Sequence, residues 1–148
     1  MIVFRKARAG DLPRLVEMLG DDVLGATREG ADMAAYQAAF DRIDADPNQL
    51  LVVAETDGRV VGQLQLSFIP GLSLQGTTRG QIEAVRVASE MRGAGIGGQM
   101  IEWAIACCRE RGCGLVQLTT NRQRADSQRF YEGLGFQPSH VGYKLSLD

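Results

Sequence analysis

Between Gln81 and Gly98 the chain reads QIEAVRVASEMRGAGIGG, and no other stretch constrains it so tightly. Ile82-Glu83-Ala84-Val85-Arg86-Val87 is apolar and β-branched enough for a strand. A polar turn follows at Ala88–Met91, then Arg92-Gly93-Ala94-Gly95-Ile96-Gly97-Gly98, then a helical pattern. Each of these glycines gives up more backbone entropy on ordering than any other residue would. Such a junction, with a cation beside it, suits backbone that must approach a ligand with no Cβ in the way. Where it opens a helix, unpaired N–H groups and the positive dipole end converge, which favours a phosphate. The plainer alternative is a glycine-rich turn without a ligand.

Three phosphate loops compete for this pattern. The nucleotide P-loop needs a Lys and a hydroxyl after its last glycine, and Gln99-Met100 stand there instead. The dinucleotide fingerprint G-x-G-x-x-G is matched by Gly93, Gly95 and Gly98. It should follow its strand at once and be answered by a carboxylate about 20 positions on. Five residues separate Val87 from Gly93, and the next strand ends Thr119-Thr120-Asn121 without an acid. The third loop is Gln or Arg, two residues, Gly, one residue, then Gly or Ala. Arg92, Gly95 and Gly97 match it in a strand–turn–helix context.

With that loop, and with Arg129-Phe130-Tyr131-Glu132-Gly133-Leu134-Gly135-Phe136 further on, the chain resembles the GNAT superfamily of N-acetyltransferases. The resemblance covers Leu50 to the C-terminus, and the first third in outline. It implies an α/β (α+β) fold in a single domain spanning 1–148. A mixed central sheet is flanked by helices and splayed between strands 4 and 5, here Gln81–Val87 and Gly114–Thr120. It also implies acetyl-CoA as co-substrate and a primary amine as acceptor.

The same resemblance assigns roles. Backbone N–H groups of Arg92, Gly93, Ala94, Gly95, Ile96, Gly97 and Gly98 would hold the pyrophosphate, with Arg92 as counter-charge. Backbone at Val85 and Val87 would pair with the pantetheine arm, and an amide near Val85 would stabilise an oxyanion. Arg86 is either solvated or a cofactor contact. Asn121 is either a pantetheine contact or a loop-turn residue. Tyr131 stands where the family places a tyrosine against the cofactor sulfur, as acid to the thiolate; a half-buried packing tyrosine is the competing reading. Glu83 is a carboxylate inside an apolar strand, where an unpaired charge is disfavoured without a task or partner. Two residues before Val85, it is the candidate base, acting through water; a salt bridge with an Arg, or a solvated strand face, is the competing role. The rival from another class is a non-catalytic acyl-CoA-binding regulatory domain on the same fold.

Along the chain, Val3–Ala7 reads as a strand, and Asp11 as the cap of a helix bearing Leu12, Leu15, Val16 and Leu19. A second helix runs from Asp32 to Asp44, before Pro47. Leu50–Glu55 and Val60–Phe68 form a hairpin about Asp57-Gly58. The post-loop helix ends at Gly112, and a short one ends at Gly135 with Phe130, Leu134 and Phe136 spaced for a core. Phe136–Pro138 and Val141–Leu147 close as strands.

Composition bounds the rest. At 148 residues with 45% hydrophobic content the chain is one domain's worth. No apolar run reaches the roughly 20 residues of a membrane span, and MIVFRKARAG has no signal-peptide layout. Cys107, Cys108 and Cys113 cannot all pair in one chain, so a reduced, cytoplasmic protein is expected, with Cys107 and Cys108 as buried helix residues. His140 is the only histidine and no CxxC occurs, so no metal is expected. Trp103 and His140 are given structural roles. Net charge is −2, with residues 79–148 at +2 and residues 1–78 at −4. No basic run suggests nucleic acid. The expected partner is a small-molecule or peptide amine, with a homodimer left open. Residues 21–46 carry seven acids (Asp21, Asp22, Glu29, Asp32, Asp41, Asp44, Asp46) against Arg28 and Arg42, which mildly favours a cationic acceptor, with a solvated acidic helix face as the competing reading.

Overall fold

The β-branched and alternating runs become a five-stranded sheet in the order β1 (Val3–Lys6), β2 (Gln49–Thr56), β3 (Arg59–Ile69), β4 (Arg79–Val87), β5 (Leu115–Gln117). Neighbours are antiparallel up to β4, and β4–β5 is parallel. The computed structural model describes residues 1–21, 29, 32–122 and 125–147. The β2–β3 hairpin turns through Asp57 (φ 52°) and Gly58 (φ 74°), both left-handed as a two-residue D-G turn requires.

The helices longer than four residues are α1 (Leu12–Leu19), α2 (Met33–Ala45), α3 (Ile96–Glu110) and α4 (Ala125–Gly133). Asp32 caps α2, its side chain accepting the Ala35 N–H. Asp11 does not cap α1 as expected. Its carboxylate is taken by Arg5 at 2.8 and 3.0 Å and by the Arg8 N–H at 2.7 Å. The Arg5 guanidinium holds that carboxyl below the usual range.

Alternation along β3 sends Gln63, Gln65 and Ser67 to one face and Leu64, Leu66 and Phe68 to the other. α3 covers the apolar face, laying Met100 over Gly62 and Cys108 over Gly80, where a Cβ would overlap their sulfurs. Val52, Ala54, Leu64, Leu66, Ile82, Ile101 and Ala104 fill the space between. Each large aliphatic side chain here contributes about 1.5–3 kcal/mol by leaving water. α1 sits on the opposite face, where the Leu15 carbonyl accepts from buried Gln63 at 2.9 Å. Trp103 packs against Phe4, ring centroids 5.9 Å apart. Cys108 is buried, its thiol pushed up to about 12 by desolvation, and half-buried Cys107 is pushed up for the same reason. Burial thus disfavours the reactive thiolate form of both.

Gly80 tests this packing. Gly80→Val puts three carbons into the Cys108 contact, and the urea midpoint should fall by the equivalent of about 1–3 kcal/mol. An unchanged midpoint would mean that α3 does not press on β4 there.

The sheet, α1, α2 and α3 lie in one unit, Met1–Gln117; Leu118–Asp148, with α4, forms a second. Three expectations fail in or next to the second unit. The strand expected over Gly114–Thr120 is laddered only at Leu115–Gln117. Phe136–Pro138 and Val141–Leu147 join no ladder among the described residues. A period-2 pattern becomes a strand only where a neighbour takes its N–H and C=O groups, and Tyr143, Leu145 and Leu147 here remain 86–93% exposed. Phe130, expected in the core, is exposed, whereas Tyr131, Leu134 and Phe136 are half-buried.

Candidate active site

β4 carries a bulge that nothing in its composition announces. Gln65 faces Glu83 and Gln63 faces Arg86, so Ala84 and Val85 together stand opposite Leu64. Ala84 absorbs the extra residue at φ 54°, a left-handed conformation without the glycine that would make it easy. A non-glycine residue held there stores about 1–3 kcal/mol, a cost that concentrates at functional sites. The bulge re-aims the amides around Val85. On the strand's other side the β4–β5 ladder stops at Gln81–Gln117, and β4 runs on past it to Val87.

The glycine loop continues from this strand. A single 3-10 turn, Ser89–Met91, leads into Arg92. Glu90 fastens the turn, pairing with Arg14 at 2.9 Å and Arg59 at 2.7 Å, while Arg14 Nε donates to the Val60 carbonyl. The carboxyl of Glu90 lies below its ordinary range, first because of its own backbone N–H and then because of these arginines. Sequence reasoning passed over this trio; its one signal was an acid directly before the loop.

Gly93 (φ 85°) and Gly95 (φ 81°) turn left-handed, and Gly95 starts α3 with no side-chain cap. Gln99 donates to the Gly95 carbonyl at 3.3 Å, so the N–H groups of Ile96, Gly97 and Gly98 precede the first bonded turn. A Cβ built on Gly93, Gly95 or Gly98 would meet nothing within 4 Å. Open space above unspent amides at a helix N-terminus fits an oxyanion such as pyrophosphate. Two members of the expected set are spent inside the loop: Arg92 N–H goes to Ser89 and Ala94 N–H to Met91. The Arg92 side chain donates to the Asp21 carbonyl at 3.3 Å and faces its carboxylate at 3.6 Å. An exposed pair of that kind is worth about 0–1 kcal/mol and yields readily to a phosphate.

Glu83 projects from β4 as an exposed carboxylate. Its partner is Gln81, whose Nε2 donates to Glu83 Oε1 at 2.7 Å, rather than an arginine. Gln117 Nε2 in turn donates to Gln81 Oε1 at 2.8 Å. These glutamines were visible as the polar positions of alternating strands, but not as partners. Val85, Arg86 and Val87 are half-buried, and Arg86 Nη1 donates to the Val85 carbonyl at 3.0 Å.

Glu83, Val85–Val87 and Arg92–Gly98 thus share one continuous strand–loop–helix segment of the first unit. Asn121 and Tyr131 belong to the second. There Asn121 is exposed outside regular structure, and Tyr131 on α4 stacks edge-on against Phe130 at 5.0 Å and Phe136 at 5.8 Å. A cavity of about 640 Å3 in the first unit, bounded by Lys6, Asp44, Phe68, Cys107 and Arg111 among others, includes neither β4 nor the loop. Of the acidic segment at 21–46, residues 22–28, 30 and 31 lie outside the described residues. Among the described residues no three His, Cys, Asp or Glu side chains gather as a metal site would require.

The acetyltransferase (GNAT) family model matches residues 16–136. The chain belongs to that family. An aminoalkylphosphonate N-acetyltransferase of Salmonella typhimurium is 34% identical over 116 residues, 78% of this GNAT chain and 75% of that protein. A glucosamine 6-phosphate N-acetyltransferase of Trypanosoma brucei brucei is 30% identical over 143 residues, 97% of this chain and 94% of that one. A crystal structure from Bacillus halodurans, described as a transcriptional regulator, is 47% identical with a TM-score of 0.96, over 99% of this chain and 100% of that one. A Clostridium acetobutylicum structure described as a predicted acetyltransferase with acetyl-CoA, 20% identical at a TM-score of 0.78 over 99% of this chain and 96% of that one, shares the fold. This GNAT chain is accordingly an acetyl-CoA-dependent N-acetyltransferase. The mixed, helix-flanked sheet with its parallel β4–β5 pair is the family architecture.

Proposed function

We propose that the protein moves an acetyl group from acetyl-CoA directly to the primary amine of a small molecule that also carries a phosphonate or phosphate. It would do so in the cytoplasm, with residues 1–148 acting as one N-acetyltransferase domain. The observation that carries the transfer is the unspent amide cluster of Ile96–Gly98 following a bulged strand that outruns its β4–β5 ladder. The acceptor class draws on the two relatives, whose named acceptors each join an amine to a phosphorus oxyanion. Arg79, on the same β4 face as Gln81 and Glu83, supplies a cation for that anion.

Acetyl-CoA would bring an activated thioester; this chain's residues would do the rest. Amides of Gly93 and Ile96–Gly98 hold the pyrophosphate, with Arg92 released from Asp21 to add its charge. The open edge of β4 at Val85 and Val87 pairs with the pantetheine amides, and the re-aimed Val85 amide stabilises the oxyanion. Glu83 takes the ammonium proton through a water, and Tyr131 returns a proton to the departing thiolate. No cysteine lies on β4, so no covalent acyl-enzyme is invoked.

A thiol-release screen tests both parts. Aminoalkylphosphonates and glucosamine 6-phosphate should exceed polyamines at least tenfold in kcat/KM, and Arg79→Gln should erase most of that preference. If polyamines lead, the acidic segment at 21–46 governs the acceptor, and the anionic reading is wrong. The second reading, a non-catalytic acyl-CoA-binding regulatory domain, is favoured by the description of the B. halodurans protein as a transcriptional regulator. Tight CoA binding with no thiol release across the whole screen would favour it.

A further inference from the structure

Gln81 and Gln117 are register partners, and theirs is the last pair before the β4–β5 ladder stops. Gln81 and Glu83 stand two apart on β4 and so share a face. The hydrogen bonds along this row run one way, Gln117 Nε2 to Gln81 Oε1 at 2.8 Å and Gln81 Nε2 to Glu83 Oε1 at 2.7 Å. A carboxamide has one donor end and one acceptor end. Once Gln117 donates to Gln81 Oε1, Gln81 has only its Nε2 to turn toward the next acceptor. The opposite flip would set Gln81 Oε1 against the Glu83 carboxylate and Nε2 against Nε2.

The neighbouring polar side chains do not compete. Gln65, which faces Glu83 across the β3–β4 ladder, gives its Nε2 to Gln49 Oε1 at 2.8 Å, and Ser67 gives its hydroxyl to the same oxygen at 2.9 Å. That cluster closes on itself. Glu83 is left with one fixed oxygen and, among the described residues, no hydrogen-bond partner on the other.

We propose that Gln117 and Gln81 are positioning residues for Glu83, a two-amide relay that fixes its rotamer, occupies Oε1 and leaves Oε2 to receive the acceptor's proton. The inference rests on Glu83 being the base. A carboxylate held by one oxygen keeps the other aimed at the acceptor instead of turning among rotamers. Gln117, one strand away and touching neither reactant, acts only through Gln81. A mere tie between β4 and β5 would hold the strands without influencing the transfer step.

The test is kcat against KM for acetyl-CoA, using the best acceptor of the thiol-release screen. Wild type, Glu83→Gln, Gln81→Met, Gln117→Met and the double methionine variant are compared. Methionine keeps length and volume and removes the donor. Gln81→Met should lower kcat about tenfold, with KM for acetyl-CoA unchanged, and should cost little more in a Glu83→Gln background. Gln117→Met should lower kcat less, and the double variant should match Gln81→Met alone. Should a methionine variant misfold, Gln117→Glu carries the same test. A carboxylate there claims the Gln81 N–H, turns the amide over and sets its oxygen against Glu83, so kcat again falls.

If Gln81→Met keeps the wild-type kcat while Glu83→Gln loses it, the relay is wrong and the base assignment stands. Methionine effects that add in the double variant would equally overturn the relay. If Glu83→Gln keeps the wild-type kcat, the base assignment fails and the relay falls with it.

Discussion

Tyr131→Phe should lower turnover about 10²–10⁴-fold while leaving CoA affinity nearly unchanged, the range expected for removing a positioned acid. The substitution keeps the ring, and with it the edge-on contacts to Phe130 and Phe136 that hold α4 together. A phenol suits the task because its reference pKa near 10 lets it give a proton to a thiolate without ionising at neutral pH. Stopped assays for kcat and equilibrium titration of CoA, on the same preparations, separate chemistry from binding. Wild-type turnover in Tyr131→Phe would remove this residue from the mechanism. An equal loss of CoA affinity would make it a binding residue instead.

The second large effect is expected at Gly95. Its φ is 81°, and the Cβ of a residue placed there meets no protein atom within 4 Å. The variant therefore pays only for a left-handed backbone, about 1–2 kcal/mol, and for blocking whatever approaches the amides. Gly112, at the other end of α3, has φ 75° and equally open surroundings, so Gly112→Val carries the same backbone cost away from the loop. CoA at 100 times its dissociation constant should stabilise wild type and Gly112→Val by about 2.7 kcal/mol, and Gly95→Val by little of that. Thermal shifts with and without CoA read the difference. If Gly95→Val responds to CoA as Gly112→Val does, the glycine loop is a turn and not a phosphate cradle.

Much of this site was legible because its signals are local. Glycines at 93, 95, 97 and 98 beside an arginine, between a β-branched run and a helical stripe, leave few structures open. The hairpin about Asp57-Gly58 was equally plain, since both turn positions require positive φ. The β4 bulge was not, because Ala84 takes a left-handed conformation that its side chain disfavours and no sequence rule anticipates. The turn before β4 hid in the same way, with Leu74 and Gln75 at φ 53° and 59°. Asp11 looked like a helix cap, but Arg5, brought near by the β1–β2 pairing, competes for its carboxylate more strongly. Val141–Leu147 has the alternation of a strand, but alternation alone supplies no partner for its backbone. Gln81 and Gln117 meet only because a parallel ladder sets their register, a long-range fact invisible to spacing.

The most direct test of the central claim is a crystal structure with CoA bound. The pyrophosphate should lie over the amides of Gly93 and Ile96–Gly98, the guanidinium of Arg92 should have left Asp21, and the pantetheine should run along β4 beyond its β5 ladder with its sulfur beside Val85. CoA lodged elsewhere, for instance in the cavity bounded by Lys6, Asp44 and Arg111, with the loop amides untouched, would contradict it.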